Sequence, residues 1–258
     1  MRLVTYDQGG ARRLGAWVGD RIVDLPDAVG HPAFPTTMEA LVDRHGGTVL
    51  DAARRALSVP QAVEEAAVTA PRLLVPLLPL ALRAARDGAA GLPLVLGPDA
   101  LLPWPASGPL HADVELACVV GRGAKDLAPA EAASVVFGYT LAVAWAAPAT
   151  AGTPGAETYV AMSLGPCLVT PDEFEPFGAE VTVRVDGERW ARFRLGSVRW
   201  TFLEALARAS RETGLQPGEL YGSGPVRVSG RRGLGPGAVV EVEAAGVGVL
   251  RTRLGLPD

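Results

Sequence analysis

The chain has 258 residues, of which 48% are hydrophobic and 20% charged, and a formal net charge of −4. That length can bury a sizeable core in one large domain with room for a small second one, and the balance of apolar and charged residues excludes a disordered chain. The slight negative charge offers no basic surface for nucleic acid or an acidic membrane, and two cysteines, Cys118 and Cys167, do not make a disulfide framework.

The first residues, Met1-Arg2-Leu3-Val4-Thr5-Tyr6-Asp7, reach an acid and then turn glycines at once, unlike a signal peptide, so a cytoplasmic location is expected. Residues 1–67 read as a small N-terminal α/β domain. Its strand candidates are Arg2-Leu3-Val4-Thr5-Tyr6, Leu14-Gly15-Ala16-Trp17-Val18 and Arg21-Ile22-Val23-Asp24-Leu25, joined by turns containing Gly and Asp. Two helical patterns follow, one from Thr37 with Met38, Leu41 and Val42 at helical spacing, the other from Val49 through Leu57. Ala70-Pro71-Arg72 reads as a linker, and residues 71–258 as the core domain.

Within the core domain, Leu73-Leu74-Val75-Pro76 and Pro93-Leu94-Val95-Leu96 are strand candidates separated by a short helical pattern. Residues 132–156 contain no charged side chain, but Gly138, Pro148, Gly152, Pro154 and Gly155 interrupt the run that a membrane span would need. No membrane association is expected. Asp186-Gly187 between two alternating runs signals a hairpin. Phe202 to Ala209 forms an amphipathic helix stopped by Gly214, and two period-two runs flank Gly246. Many short strands, few helices and no regular βαβ alternation predict a β-rich α+β protein.

The chemistry concentrates in Leu110-His111-Ala112-Asp113-Val114-Glu115-Leu116. On a strand, residues i and i+2 share a face, so Asp113 and Glu115 project together. Parallel carboxylates repel unless a cation or proton lies between them, and an oxygen-only pair suits Mg²⁺ or Mn²⁺. A solvated strand end carrying two acids is the competing reading.

This segment, followed by Gly138-Tyr139-Thr140-Leu141-Ala142, resembles the fumarylacetoacetate hydrolase family, and in particular its 2-hydroxyhepta-2,4-diene-1,7-dioate isomerase-like members. The turns Leu164-Gly165-Pro166, Pro217-Gly218-Glu219, Pro236-Gly237-Ala238 and Gly246-Val247-Gly248 extend the resemblance over nearly the whole chain. It implies a mixed β core around a divalent cation held by three carboxylates. It also implies aromatic-catabolic hydrolase, isomerase or decarboxylase chemistry on a 2-oxo or β-diketo acid through a metal-bound enolate. A helix over residues 131–137 and a dimer complete the family layout.

The resemblance carries over unevenly. Asp113 and Glu115 stand at metal-ligand positions, but the third ligand falls on Ala144. One missing charge near 4 Å in a medium of effective dielectric near 20 removes about 4 kcal/mol of attraction. Mg²⁺ or Mn²⁺ is therefore expected to bind weakly or not at all. The water-activating His and Glu of the family align with Arg83 and Arg86, which are no general bases, and the family's lysine aligns with Ala156. Arg83 and Arg86 are candidates for gripping a substrate carboxylate, or else exposed helix charges. Glu157 is a candidate replacement acid in the cleft, His111 shares the face of Asp113, and Ser223 retains a hydroxyl in the loop Gly222-Ser223-Gly224-Pro225. No residue is assigned a catalytic role.

Two readings follow: a metal-assisted enzyme acting on a 2-oxo or dicarboxylic acid, or a non-catalytic family member working as a binding module or as partner subunit of an active paralogue. Either is expected to form a homodimer, or a heterodimer with a paralogue.

Overall fold

The structure, a computed structural model, describes residues 1–44, 47–83, 94–105, 108–149, 157–194, 202–228 and 233–257; for Gly47 and Arg83 it describes the backbone alone. The chain opens with β1 (Arg2–Gln8), β2 (Ala11–Val18) and β3 (Arg21–Asp24). Four short helices follow, α1 (Leu25–Val29), α2 (Met38–Asp43), α3 (Gly47–Leu57) and α4 (Pro60–Glu65). Thr37 caps α2 through its hydroxyl, which accepts from the Ala40 amide. Then come β4 (Ala67–Val68), β5 (Arg72–Leu73), β6 (Ala81–Arg83), β7 (Leu94–Leu96) and β8 (Ala100–Leu102).

The long strands are β9 (His111–Val120), β10 (Val136–Pro148) and β11 (Glu157–Val169), with a 3₁₀ helix at Pro129–Val135 leading into β10. The helix expected to reach Phe137 is thus a tighter one that ends at Val135. Val136 and Phe137 already belong to the sheet, where a β-branched and an aromatic side chain pack well. After β12 (Glu180–Val185) and β13 (Glu188–Arg194) come α5 (Phe202–Glu212), β14 (Glu219–Gly222), β15 (Val226–Arg227), β16 (Val239–Ala244) and β17 (Gly248–Leu254). The β12–β13 turn has positive φ at both Asp186 and Gly187, the conformation that a tight hairpin requires.

One sheet runs β4-β3-β2-β1-β11-β10-β9-β14-β6, with β5 beside β1, β7 beside β11 and β15 beside β9. A second runs β13-β12-β16-β17-β8. The N-terminal strands and the long strands share the first sheet, because Arg2 and Leu3 of β1 pair with Val169 and Leu168 of β11. The result is the β-rich α+β architecture expected from the sequence.

The first sheet separates two apolar layers. Val114, Leu116, Cys118 and Val120 of β9, with Leu141, Val143 and Trp145 of β10, pack toward Val181, Val183, Val240, Val242 and Leu250 of the second sheet. Ala117 and Val119, with Ala142 and Ala144, face the other layer, which includes Met38, Leu41, Leu50 and Ala53 of the helices. This explains the uncharged run at 132–156: its described part is largely a central strand buried on both faces, which needs apolar residues throughout. Among the described residues no helix is long and apolar enough to cross a membrane.

Candidate functional site

Alternation along β9 decides where the acids point. Even-numbered residues from Ala112 to Val120 enter the layer between the sheets, so Asp113 and Glu115 project to the opposite face with Ala117 and Val119. Both acids are buried: Asp113 is 0% exposed and Glu115 2%. They are not a solvated strand end.

Antiparallel register fixes their neighbours on β10. Ala144 lies directly opposite Asp113, and Ala142 opposite Glu115. The position expected to carry a third acid is therefore in place beside Asp113, and it presents a methyl group.

On the other flank of β9, β15 sets Arg227 directly opposite Asp113. The Arg227 guanidinium grips this carboxylate with two bonds, Nε donating to Oδ1 at 2.8 Å and Nη2 to Oδ2 at 3.0 Å. Such a forked pair is the strongest geometry available to an arginine and a carboxylate. Arg227 also reaches Glu157, with Nη1 donating to Oε1 at 2.8 Å and Nη2 standing 2.7 Å from Oε2. Asp113, first, and Glu157 raise the guanidinium above its ordinary range, which fixes it as a permanent cation. Tyr159 completes the group by donating its hydroxyl to Asp113 Oδ2 at 3.0 Å.

The structure thus brings Asp113, Glu157 and His111 together, the His111 Nε2 lying 3.6 Å from Glu157 Oε1. Glu115 lies on the same face, with its carboxylate packed over Gly222: a Cβ at that position would be 2.0 Å from Oε2. The next residue, Ser223, is pinned to β9, since its amide donates to the Leu116 carbonyl at 2.8 Å and its hydroxyl accepts from the Leu116 amide at 3.2 Å. The Ser223 hydroxyl therefore serves the sheet. Arg83 is placed by its backbone, at the end of β6 in register with Tyr221, while Arg86 and Ala156 lie outside the described residues.

Sequence reasoning missed Arg227 and Tyr159. Pro225-Val226-Arg227-Val228 does mark a short strand, but nothing local says which strand it joins. Its role follows only from the pairing of residues more than a hundred positions apart.

A hard divalent cation needs a shell of oxygen donors. Among the described residues no group of three or more His, Cys, Asp or Glu side chains is assembled to hold one. Both Asp113 oxygens are engaged by Arg227, and Ala144 offers no oxygen. The described residues do not fit a resident divalent ion.

Residues 91–255 match the family model for the fumarylacetoacetate (FAA) hydrolase C-terminal domain. No curated protein matches the chain. Among solved structures, the chain is similar to maleylpyruvate hydrolase from Sphingobium sp. SYK-6 in complex with manganese(II) and pyruvate, with 21% identity, TM-score 0.76 and full coverage of both chains. It is also similar to fumarylacetoacetate hydrolase from Exiguobacterium antarcticum, at 21% identity and TM-score 0.74. A third is a probable 2-hydroxyhepta-2,4-diene-1,7-dioate isomerase from Mycobacterium abscessus, at 19% identity and TM-score 0.76. For both of these the alignment also covers 100% of each chain. At such identities the structural likeness speaks for the fold alone.

Proposed function

The chain belongs to the fumarylacetoacetate hydrolase family, and from that membership we propose that it is a non-catalytic member, serving as the partner subunit of an active paralogue. The observation that supports this reading is the register of β9 and β10, which puts the Ala144 methyl opposite the buried Asp113, at the position where the family resemblance leads one to expect a third oxygen ligand. Metal-assisted enolisation needs an ion that polarises the substrate carbonyl, and the donors for it are not assembled among the described residues. Partner-subunit work is favoured over capture of a small acid by the donor count of Arg227. Three of its five N–H groups donate to Asp113 and Glu157 and Nη2 also stands 2.7 Å from Glu157 Oε2, so both edges of the guanidinium that could fork an incoming carboxylate face an acid already.

One observation favours the second reading, a hydrolase, isomerase or decarboxylase of 2-oxo acids using weakly held Mg²⁺ or Mn²⁺. Glu157 shares the Arg227 guanidinium with Asp113 and would stand in for the third carboxylate that Ala144 does not provide. A substrate chelating through two oxygens would supply further ligands.

The test assays the purified chain on acylpyruvates and oxaloacetate with millimolar Mg²⁺ or Mn²⁺, beside its Asp113→Asn variant. The expected result is the same background rate for both proteins, together with a stable hetero-oligomer when a paralogue is co-expressed. Turnover by the wild type that vanishes in Asp113→Asn establishes the enzyme reading and overturns the proposal.

A further inference from the structure

We propose that Arg227 is the resident cation beside Asp113 and Glu157, standing where the family resemblance would put a divalent ion and closing the site to metal. The inference rests on the reading above, that no divalent ion is resident, and adds what has taken its place.

A carboxylate with no exposed surface is held in the folded state only if a compensating charge and hydrogen bonds accompany it. For Asp113 the structure supplies these from a dedicated element. The two-residue strand β15 pairs with β9 at Val226↔Val114 and Arg227↔Asp113, so main-chain pairing fixes the arginine opposite the acid. Directly opposite residues on antiparallel strands share a face, and the guanidinium needs only its own side chain to close the fork. The same guanidinium spans to Glu157 on β11, two strands beyond β9 in the sheet. A single cation thus ties β9, β11 and β15 together through carboxylate oxygens, as a metal ion would.

The change at position 144 fits this exchange. A third acid there would face Asp113 from β10 and would sit close to the guanidinium already paired with Asp113. With Glu157 drawn in, the guanidinium already serves two carboxylates, and an acid at 144 would add a further negative charge to a face that holds Asp113, Glu115 and Glu157.

The experiment compares the full chain with Arg227→Met, Ala144→Asp and the double variant, using Mn²⁺ as the probe. Titration is followed by calorimetry and by the loss of the free Mn²⁺ paramagnetic resonance signal, and thermal melts are run with and without Mn²⁺. Wild type and Ala144→Asp are expected to bind no tighter than about millimolar, because the guanidinium remains in place. Arg227→Met should bind Mn²⁺ about tenfold or more tighter and melt at a higher temperature when it is added. The double variant should be tightest. If Arg227→Met does not fold, refolding in Mn²⁺ should recover it, and failure to do so overturns the inference. Mn²⁺ affinity unchanged by Arg227→Met in both backgrounds overturns it too, leaving Arg227 an ordinary ion-pair partner. Micromolar binding by the wild type is a different outcome, which sinks the non-catalytic reading along with this one.

Discussion

Asp113 and Arg227 should be energetically coupled to a degree that a surface ion pair cannot reach, and a double-mutant cycle measures it. Arg227→Met removes the fork of 2.8 and 3.0 Å bonds and leaves a carboxylate that has no exposed surface. Breaking a buried pair from one side costs about 3–5 kcal/mol. The Arg227 side chain is 30% exposed, so solvent screens its end of the pair and the lower figure of about 3 kcal/mol applies. For a chain of this size that is a fall of roughly 6–12 °C in Tm. Asp113→Asn keeps the shape and leaves Arg227 its pairing with Glu157, so it should cost only about 1–2 kcal/mol. The double variant should be more stable than the sum of the two losses predicts, by about 2 kcal/mol. Urea unfolding of the four proteins at low salt and at 0.5 M NaCl provides the free energies, and the coupling should persist in salt because the acid is buried. A coupling below about 0.5 kcal/mol, or one that salt abolishes, matches an exposed pair and refutes the reasoning.

Gly222→Ala places a methyl 2.0 Å from Glu115 Oε2, so the buried carboxylate must swing away at a cost of about 1–3 kcal/mol. Shortening the acid should remove the clash, and Glu115→Ala/Gly222→Ala should then be no less stable than Glu115→Ala; a further loss on urea unfolding would show that the collision is not with Glu115. Burial pushes the thiols of Cys118 and Cys167 up to about 12, so iodoacetamide at pH 8.5 should label neither in the native protein and both in urea. Both folded-state values lie above the ordinary thiol value of 9.0, and the Tyr139 phenol is likewise raised, from 10.0 to about 12. Between about pH 9 and 12 the unfolded chain therefore releases protons that the native one keeps, and stability should fall as pH rises through that window. Urea midpoints that stay flat from pH 8.5 to 10.5 would contradict this.

The sequence made legible those elements whose signals are local. Thr37 before a helical spacing, Asp186-Gly187 between alternating runs, and Gly246 between two more are short-range instructions, and the structure has α2, the β12–β13 hairpin and the β16–β17 hairpin there. The strands of two or three residues were a different matter. β15 has only Val226 and Arg227, β5 is equally short, and β6, β7 and β8 are hardly longer. Such segments carry too few alternations to define a face, and their pairing is set by where longer strands have already gone. The short helical pattern expected between the first two core strands lies largely outside the described residues.

At the site the same division holds, and it explains how the chemistry can change while the fold persists. On β9 and β10 the residues facing the second sheet, such as Val114, Leu116, Val143 and Trp145, build the larger core and set the register. A slip of one residue would expose all of them, so they hold Asp113 and Ala144 opposite each other whatever those two side chains are. Position 144 can thereby carry either a methyl group or an acid without moving a strand. Asp113 is not free in the same sense: buried, it must keep a counter-charge, and among the described residues Arg227, brought by another strand, supplies one. That is why the frame of the site could be read from alternation and turns, whereas Arg227, which supplies the charge, could not. Its assignment depends on the contact between β15 and β9, a tertiary fact that no local pattern around Val226-Arg227 encodes.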